Sequence, residues 1–129
     1  VLYLAEKYVL NALQSGFEMH CCDAAAFVLQ NETRFDLICM DVFVDDVIPD
    51  EMQTTEYLRQ LEASLSDDGL LMYNRLSRTK EDVEETKEFL HDVFLEVFPD
   101  GGYLDVGGNW MLLNRRDILT NNRLLARKT

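Results

Sequence analysis

Apolar and polar positions fall in blocks along this chain, and the period changes from block to block. Residues 1–13 set Leu2, Ala5, Val9, Ala12 and Leu13 at or near three-to-four spacing, with Glu6 and Lys7 between them. That is an amphipathic helix, ended by Ser15-Gly16. Residues 17–22 are short and predict a strand. Asp23 then stands directly before Ala24-Ala25-Ala26-Phe27-Val28-Leu29, a helix start with an N-cap carboxylate. After a turn at residues 31–34 comes Phe35-Asp36-Leu37-Ile38-Cys39-Met40-Asp41-Val42-Phe43, an almost wholly apolar run. Its length and branched side chains predict a central strand buried on both faces. Asp41 lies near the carboxyl end of that strand.

An acidic loop at residues 44–51 leads to a helix opened by Thr54 or Thr55, with Tyr57, Leu58, Leu61 and Leu65 on one face and Arg59, Gln60 and Glu62 on the other. Ser66-Asp67-Asp68-Gly69 is expected to stop it, and residues 70–73 to form a buried strand ending at Asn74. Thr79 with Asp82 three residues later has the form of a capping box. The helix behind it is expected to reach about Phe98, burying Val83, Leu90, Val93, Phe94 and Val97. Glu81, Asp82, Glu84, Glu85 and Glu88 make its solvated side. Pro99-Asp100-Gly101-Gly102 breaks the chain. Residues 103–106, then Gly107-Gly108-Asn109, then residues 110–113 read as a hairpin anchored by Trp110. The tail, residues 121–129, is expected to fray or to form a small edge element. Helices alternating with strands predict an α/β domain, a mostly parallel sheet with helices on both faces, closed by an antiparallel hairpin.

Composition narrows the partners. The 129 residues suit a single domain, with 47% hydrophobic and 28% charged residues. The formal net charge is −12. Such an acidic balance disfavours nucleic acid and anionic membrane, which are bound through clustered Lys and Arg, and admits a small-molecule substrate such as an amine. Three cysteines, two of them adjacent (Cys21, Cys22), make no disulfide framework and point to a reducing, cytoplasmic setting. No apolar stretch approaches membrane-spanning length.

Two carboxylates are placed for chemistry. Ligands of open α/β sheets sit outside the carboxyl ends of the strands, so Asp41 either serves a site there or simply caps the following turn. His20-Cys21-Cys22-Asp23 contains metal-ligand types. Neighbouring strand residues point to opposite faces, however, and no second His/Cys pair stands at finger spacing, so a metal is not expected.

The run Cys22-Asp23-Ala24 before a helix, followed by Phe35-Asp36-Leu37-Ile38-Cys39-Met40-Asp41, resembles the second half of a class I S-adenosylmethionine-dependent methyltransferase. Within that superfamily it looks most like the spermidine synthase group. Pro49-Asp50-Glu51-Met52-Gln53-Thr54-Thr55-Glu56-Tyr57-Leu58 and Leu65-Ser66-Asp67-Asp68-Gly69-Leu70-Leu71-Met72-Tyr73-Asn74 are similar to that group's loop, helix and strand. Leu4-Ala5-Glu6-Lys7-Tyr8 resembles the helix after the family's second strand.

The resemblance implies a Rossmann-like fold that binds S-adenosylmethionine or decarboxylated S-adenosylmethionine. Asp23, with the backbone of Ala24, matches the site that bonds the adenine amino group; as a residue, Asp23 is equally an N-cap. Asp41 matches the catalytic carboxylate beside the sulfonium and the amine nucleophile.

The sequence departs from the pattern at two places. The polyamine group carries a second Asp three residues after the first; here that position is Val44, with Asp45 and Asp46 adjacent as the candidate substrate contacts. The glycine-rich turn and the ribose-binding acid of the family would lie upstream of Val1. The chain therefore reads as the later two-thirds of a domain lacking its first two strands, expected to bind cofactor weakly and to be inactive alone. The strand at residues 17–22 must then pair with the central strand, find a partner chain in a homo-oligomer, or stay an exposed edge. Alkyl transfer from a sulfonium is the expected function; a non-catalytic binding or oligomerisation module on the same fold is the alternative.

Overall fold

The computed structural model describes residues 18–120. The expected helix at residues 1–13, the tail at 121–129 and Phe17 of the first expected strand lie outside that range. The order of elements is α1 (Ala24–Gln30), β1 (Phe35–Met40), a 3₁₀ turn (Asp50–Met52), α2 (Thr55–Ala63), β2 (Leu65–Leu76), α3 (Lys80–Phe89), β3 (Gly102–Asp105), β4 (Asn109–Leu113) and the single-turn α4 (Asp117–Thr120). Behind α3 the helix continues through a π-helical stretch, Leu90–Phe94, and a last turn, Leu95–Val97.

The helix starts follow their caps. Asp23 Oδ1 accepts the Ala26 N–H at 2.9 Å, and Thr54 Oγ1 accepts that of Tyr57 at 3.2 Å. At α3 both halves of the capping box are present: Thr79 Oγ1 accepts from Asp82 N at 3.1 Å, and Asp82 Oδ2 accepts from Thr79 N at 2.9 Å.

The strands form one sheet in the order β1-β2-β4-β3, with β1 and β2 parallel and the other two pairings antiparallel. Among the described residues the sheet is thus mixed rather than mostly parallel. Residues 18–22, expected to be a strand, are irregular and exposed; a strand needs a ladder, and among the described residues no strand runs beside them. For the same reason β1 is an edge of the described sheet and not its centre. Among the described residues it is covered on one face only: Met40 is buried, while Leu37 is 53% exposed and Cys39 is exposed. The strands that run inside the described sheet are β2 and β4.

The Ser66-Asp67-Asp68-Gly69 segment does not stop α2, which ends at Ala63 with Ser64 as its cap. It lies inside β2 as a bulge: Phe35 pairs with Leu65, yet Leu37 pairs with Leu70. Ser66 Oγ donates to Asp36 Oδ1 at 2.8 Å across the bulge. Gly69 suits the close approach there, since a Cβ would sit tightly at 3.0 Å from the Phe35 and Ser66 carbonyl oxygens and from Leu65 Cδ2. The hairpin closes as expected. Gly107 and Gly108 have φ of 79° and 82°, the left-handed pair that a tight two-residue turn demands.

The core lies on the face where Leu71, Tyr73 and Arg75 of β2 meet the helices, and is filled by Leu58, Leu61, Phe89, Phe94 and Leu112. Tyr73 stacks on Phe89 with centroids 5.2 Å apart, and its hydroxyl donates to the Met52 carbonyl at 2.7 Å. Trp110 is buried and stacks on Tyr103 at 4.0 Å, so it anchors the hairpin. Helices were expected on both faces. The described α1, α2 and α3 all serve this one, leaving Leu37, Cys39 and Met72 on the more open side.

Candidate functional site

The parallel pair β1 and β2 brings Asp41 and Asn74 level at their carboxyl ends. Asp41 follows the last residue of β1, and the register continues from Met40 opposite Tyr73. Asn74 Nδ2 donates to Asp41 Oδ1 at 2.9 Å, and Asn109 Nδ2 donates to Asn74 Oδ1, also at 2.9 Å. One carboxylate oxygen is therefore oriented by a relay that crosses three strands. Asp41 itself is exposed, while both asparagines are half-buried. Asn74 was expected to end its strand and to do no more, and Asn109 was assigned only to a turn. The signal that was available is the placement of an amide side chain level with a strand-end carboxylate, which becomes readable only when the register is known.

A cavity of about 310 Å³ opens between α1, β1 and α2. Its walls are largely apolar, with Phe27 and Val28 from α1, Ile38 and Met40 from β1, and Tyr57 and Leu61 from α2. The N-terminal turn of α1 reaches it through Ala24, and Val42 follows Asp41 at its rim. Burial, followed by the negative charge of Asp23, pushes the Tyr57 hydroxyl up to about 12. Tyr57 thus stays protonated, and the Asp23 carboxylate lies close enough to this wall to be felt there. Asp23 spends one oxygen on the cap; a carboxylate has about four lone-pair positions, so capping leaves acceptor capacity for a second donor.

The sequence candidates are therefore only partly gathered. Ala24 lines the cavity and Asp23 stands at its edge. Asp41 sits between the lining residues Met40 and Val42, with its side chain directed to Asn74. Asp45 and Asp46 are elsewhere, at the tip of a tight turn closed by Val44 N to Val47 O (2.8 Å) and Val47 N to Val44 O (3.0 Å). Both have positive φ, 50° and 62°, a conformation that Asp tolerates better than most residues. Asp46 approaches Arg78 at 4.0 Å and borders a different, smaller cavity. His20 lies 3.6 Å from Glu18, with its ring 5.1 Å from that of Phe27. His91 faces solvent.

A mixed sheet with a capped helix, an apolar cavity and a carboxylate at the carboxyl end of a strand resembles the fold of class I methyltransferase domains. Comparison with known proteins agrees. Human methyltransferase-like protein 13, solved in complex with SAH, superposes with a TM-score of 0.70 over 88% of this chain and 55% of its own, at 17% identity. In sequence, the chain is 26% identical over 131 residues to a polyamine aminopropyltransferase of Vibrio vulnificus (strain CMCP6). That alignment takes in 99% of this chain and 43% of the relative, so the chain spans under half the relative's length. No protein-family model matches. The resemblance read from the residues is supported at the level of the superfamily: the solved structure shares the class I methyltransferase fold, and the sequence relative is a polyamine aminopropyltransferase. Among the described residues no helix is long and apolar enough to cross a membrane.

Proposed function

We propose that this chain supplies the adenine cavity and the strand-end carboxylate of a transferase that moves an alkyl group from S-adenosylmethionine, or its decarboxylated form, to an amine acceptor. The observation that carries the reading is the apolar cavity of about 310 Å³ set between the Asp23-capped helix and the strand that leads into Asp41. A flat purine suits such a slot. The residues fit the group: Asp23 retains an oxygen to accept the adenine amino N–H, and Phe27, Val28, Ile38 and Leu61 exclude water from the ring faces. When bound, the cofactor supplies a carbon activated by a sulfonium, with a neutral thioether as its leaving group.

Asp41 does the protein's share of the chemistry. With Oδ1 held by Asn74, Oδ2 is free to accept a hydrogen bond from the acceptor's N–H, orient its lone pair and take up the proton released on transfer. Val44 stands where the polyamine group has its second carboxylate, and the turn carries Asp46 toward Arg78 instead. An apolar side chain there desolvates an approaching ammonium, so putrescine is a poor acceptor in this account.

The test compares the full-length protein with its Asp41→Asn variant at saturating donor. Turnover falls by about 100-fold or more, in the range of a lost general base, while donor affinity stays within about twofold. Equal turnover in the two proteins would remove Asp41 from the mechanism. The alternative, a non-catalytic module that assembles through its sheet, draws on the edge of β1, unpaired among the described residues, and its half-exposed Leu37. It expects concentration-dependent dimers together with no binding of adenine nucleosides.

A further inference from the structure

Arg75 stands in the middle of β2 and points into the core face, where it is only 7% exposed. Its partners there are neutral. Nε donates to Thr86 Oγ1 at 3.3 Å, Nη1 donates to Gln53 Oε1 at 2.9 Å, and the guanidinium lies 4.2 Å from the Phe89 ring centroid. Among the described residues no carboxylate comes within ion-pair distance of it. Burial lowers its pKa from the ordinary value; Tyr73 and, more weakly, Glu85 push in the opposite direction. A buried guanidinium bonded only to neutral groups is a costly arrangement, and among the described residues it has no counter-ion in contact.

The space beside it is a second cavity, about 150 Å³ in volume, lined by Arg75, Gln53 and Thr86 on the inner side and by Asp46, Asp82 and Glu85 toward solvent. Two of those carboxylates are committed. Asp82 Oδ2 holds the Arg78 and Thr79 N–H groups, and Asp46 faces Arg78. Glu85 is exposed and makes no side-chain hydrogen bond among the described residues. An anion alone would meet three carboxylates on its way to Arg75, and a cation alone would meet a buried guanidinium. Only a molecule carrying both charges complements the two ends of this cavity.

We infer that the Arg75 cavity is a binding site for a small amino-acid zwitterion, its carboxylate paired with the Arg75 guanidinium and its ammonium with Glu85 at the rim. The fork of Arg75 suits a planar carboxylate, and the aromatic face of Phe89 fixes the plane in which it is presented. The site does not depend on the transferase reading, since neither Arg75 nor Glu85 lines the cavity between α1, β1 and α2.

The experiment follows the Arg75 Nε–Hε resonance of the 129-residue protein, with no sulfonium present, during titration with glycine, β-alanine and γ-aminobutyrate, and with acetate and putrescine as single-charge controls. At least one of the three zwitterions gives a saturable shift, with acetate and putrescine each about tenfold weaker or worse. In Glu85→Gln, a surface change that leaves the core intact, the zwitterion loses about tenfold in affinity and its advantage over acetate disappears. Arg75→Lys abolishes the preference; should that variant fail to fold, Glu85→Gln carries the decision alone. Absence of a saturable shift with all three zwitterions overturns the inference. So does equal binding of acetate or putrescine, or a Glu85→Gln protein that binds as wild type does.

Discussion

Removing the Asn74 side chain breaks the relay that orients Asp41, and the cost can be worked from its two bonds. One is charge-assisted, to Asp41 Oδ1; the other is neutral, from Asn109 Nδ2; each spans 2.9 Å. Net values for such bonds run about 1.5–3 and 0.5–1.5 kcal/mol, and the exposure of Asp41 argues for the lower ends. Asn74→Ala is therefore expected to destabilise the protein by about 2 kcal/mol. Asn109→Ala removes only the neutral bond and is expected to cost about 0.5–1 kcal/mol. In the double variant that bond is already gone, so the costs do not add, and the cycle returns a coupling of about 0.5–1 kcal/mol. Urea denaturation of the four proteins, at constant slope, gives the cycle directly. Strict additivity, or an Asn74→Ala variant as stable as wild type, would refute the claim that the three side chains act as one chain of hydrogen bonds.

Two further outcomes are expected. Tyr73→Phe leaves the Met52 carbonyl without its donor inside the core and should cost about 1–3 kcal/mol, read from thermal or urea unfolding; a neutral result would mean the carbonyl finds another partner. Asp82 is held below the ordinary carboxylate range chiefly by the Thr79 backbone N–H, then by the Arg78 N–H and the Thr79 hydroxyl. A carboxylate depressed in the folded state stabilises fully above its unfolded value, and that contribution is lost as pH falls through the folded one. The first turn of α3 should thus lose amide-exchange protection in acid, and Asp82→Asn should remove that acid dependence. Protection that falls equally in both proteins would count against the cap.

Much of the fold was legible because its signals are local. Asp23, Thr54 and the Thr79/Asp82 pair mark helix starts by side-chain chemistry that acts within three residues, and each caps as its type dictates. The Gly107-Gly108 pair specified the hairpin in the same way. The failures came where neighbours in space decide. The apolar run through Met40 has the composition of a doubly buried strand, but burial depends on what lies alongside, and among the described residues only β2 does. Ser66-Asp67-Asp68-Gly69 has turn composition and was read as a stop, whereas the pairing of Leu65 and Leu70 with β1 absorbs it as a bulge. Of the site, the positions of Asp23 and Asp41 followed from strand and helix ends. The Asn74–Asn109 relay and the buried Arg75 did not, since each depends on cross-strand register or on helix packing that no single stretch encodes.

The central claim is that the cavity between α1, β1 and α2 holds adenine through Asp23, and it is tested most directly by calorimetric titration with 5′-methylthioadenosine and 5′-methylthioinosine. The two nucleosides differ in whether the purine presents an amino donor or a carbonyl acceptor to the protein. Wild type should prefer the adenine compound by about tenfold or more, the value of one hydrogen bond to a charged acceptor. Asp23→Asn keeps a competent N-cap, so the fold is retained, but adds an amide donor and should erase or reverse the preference. Equal affinity for the two nucleosides in wild type, or a preference unchanged by Asp23→Asn, would contradict the account.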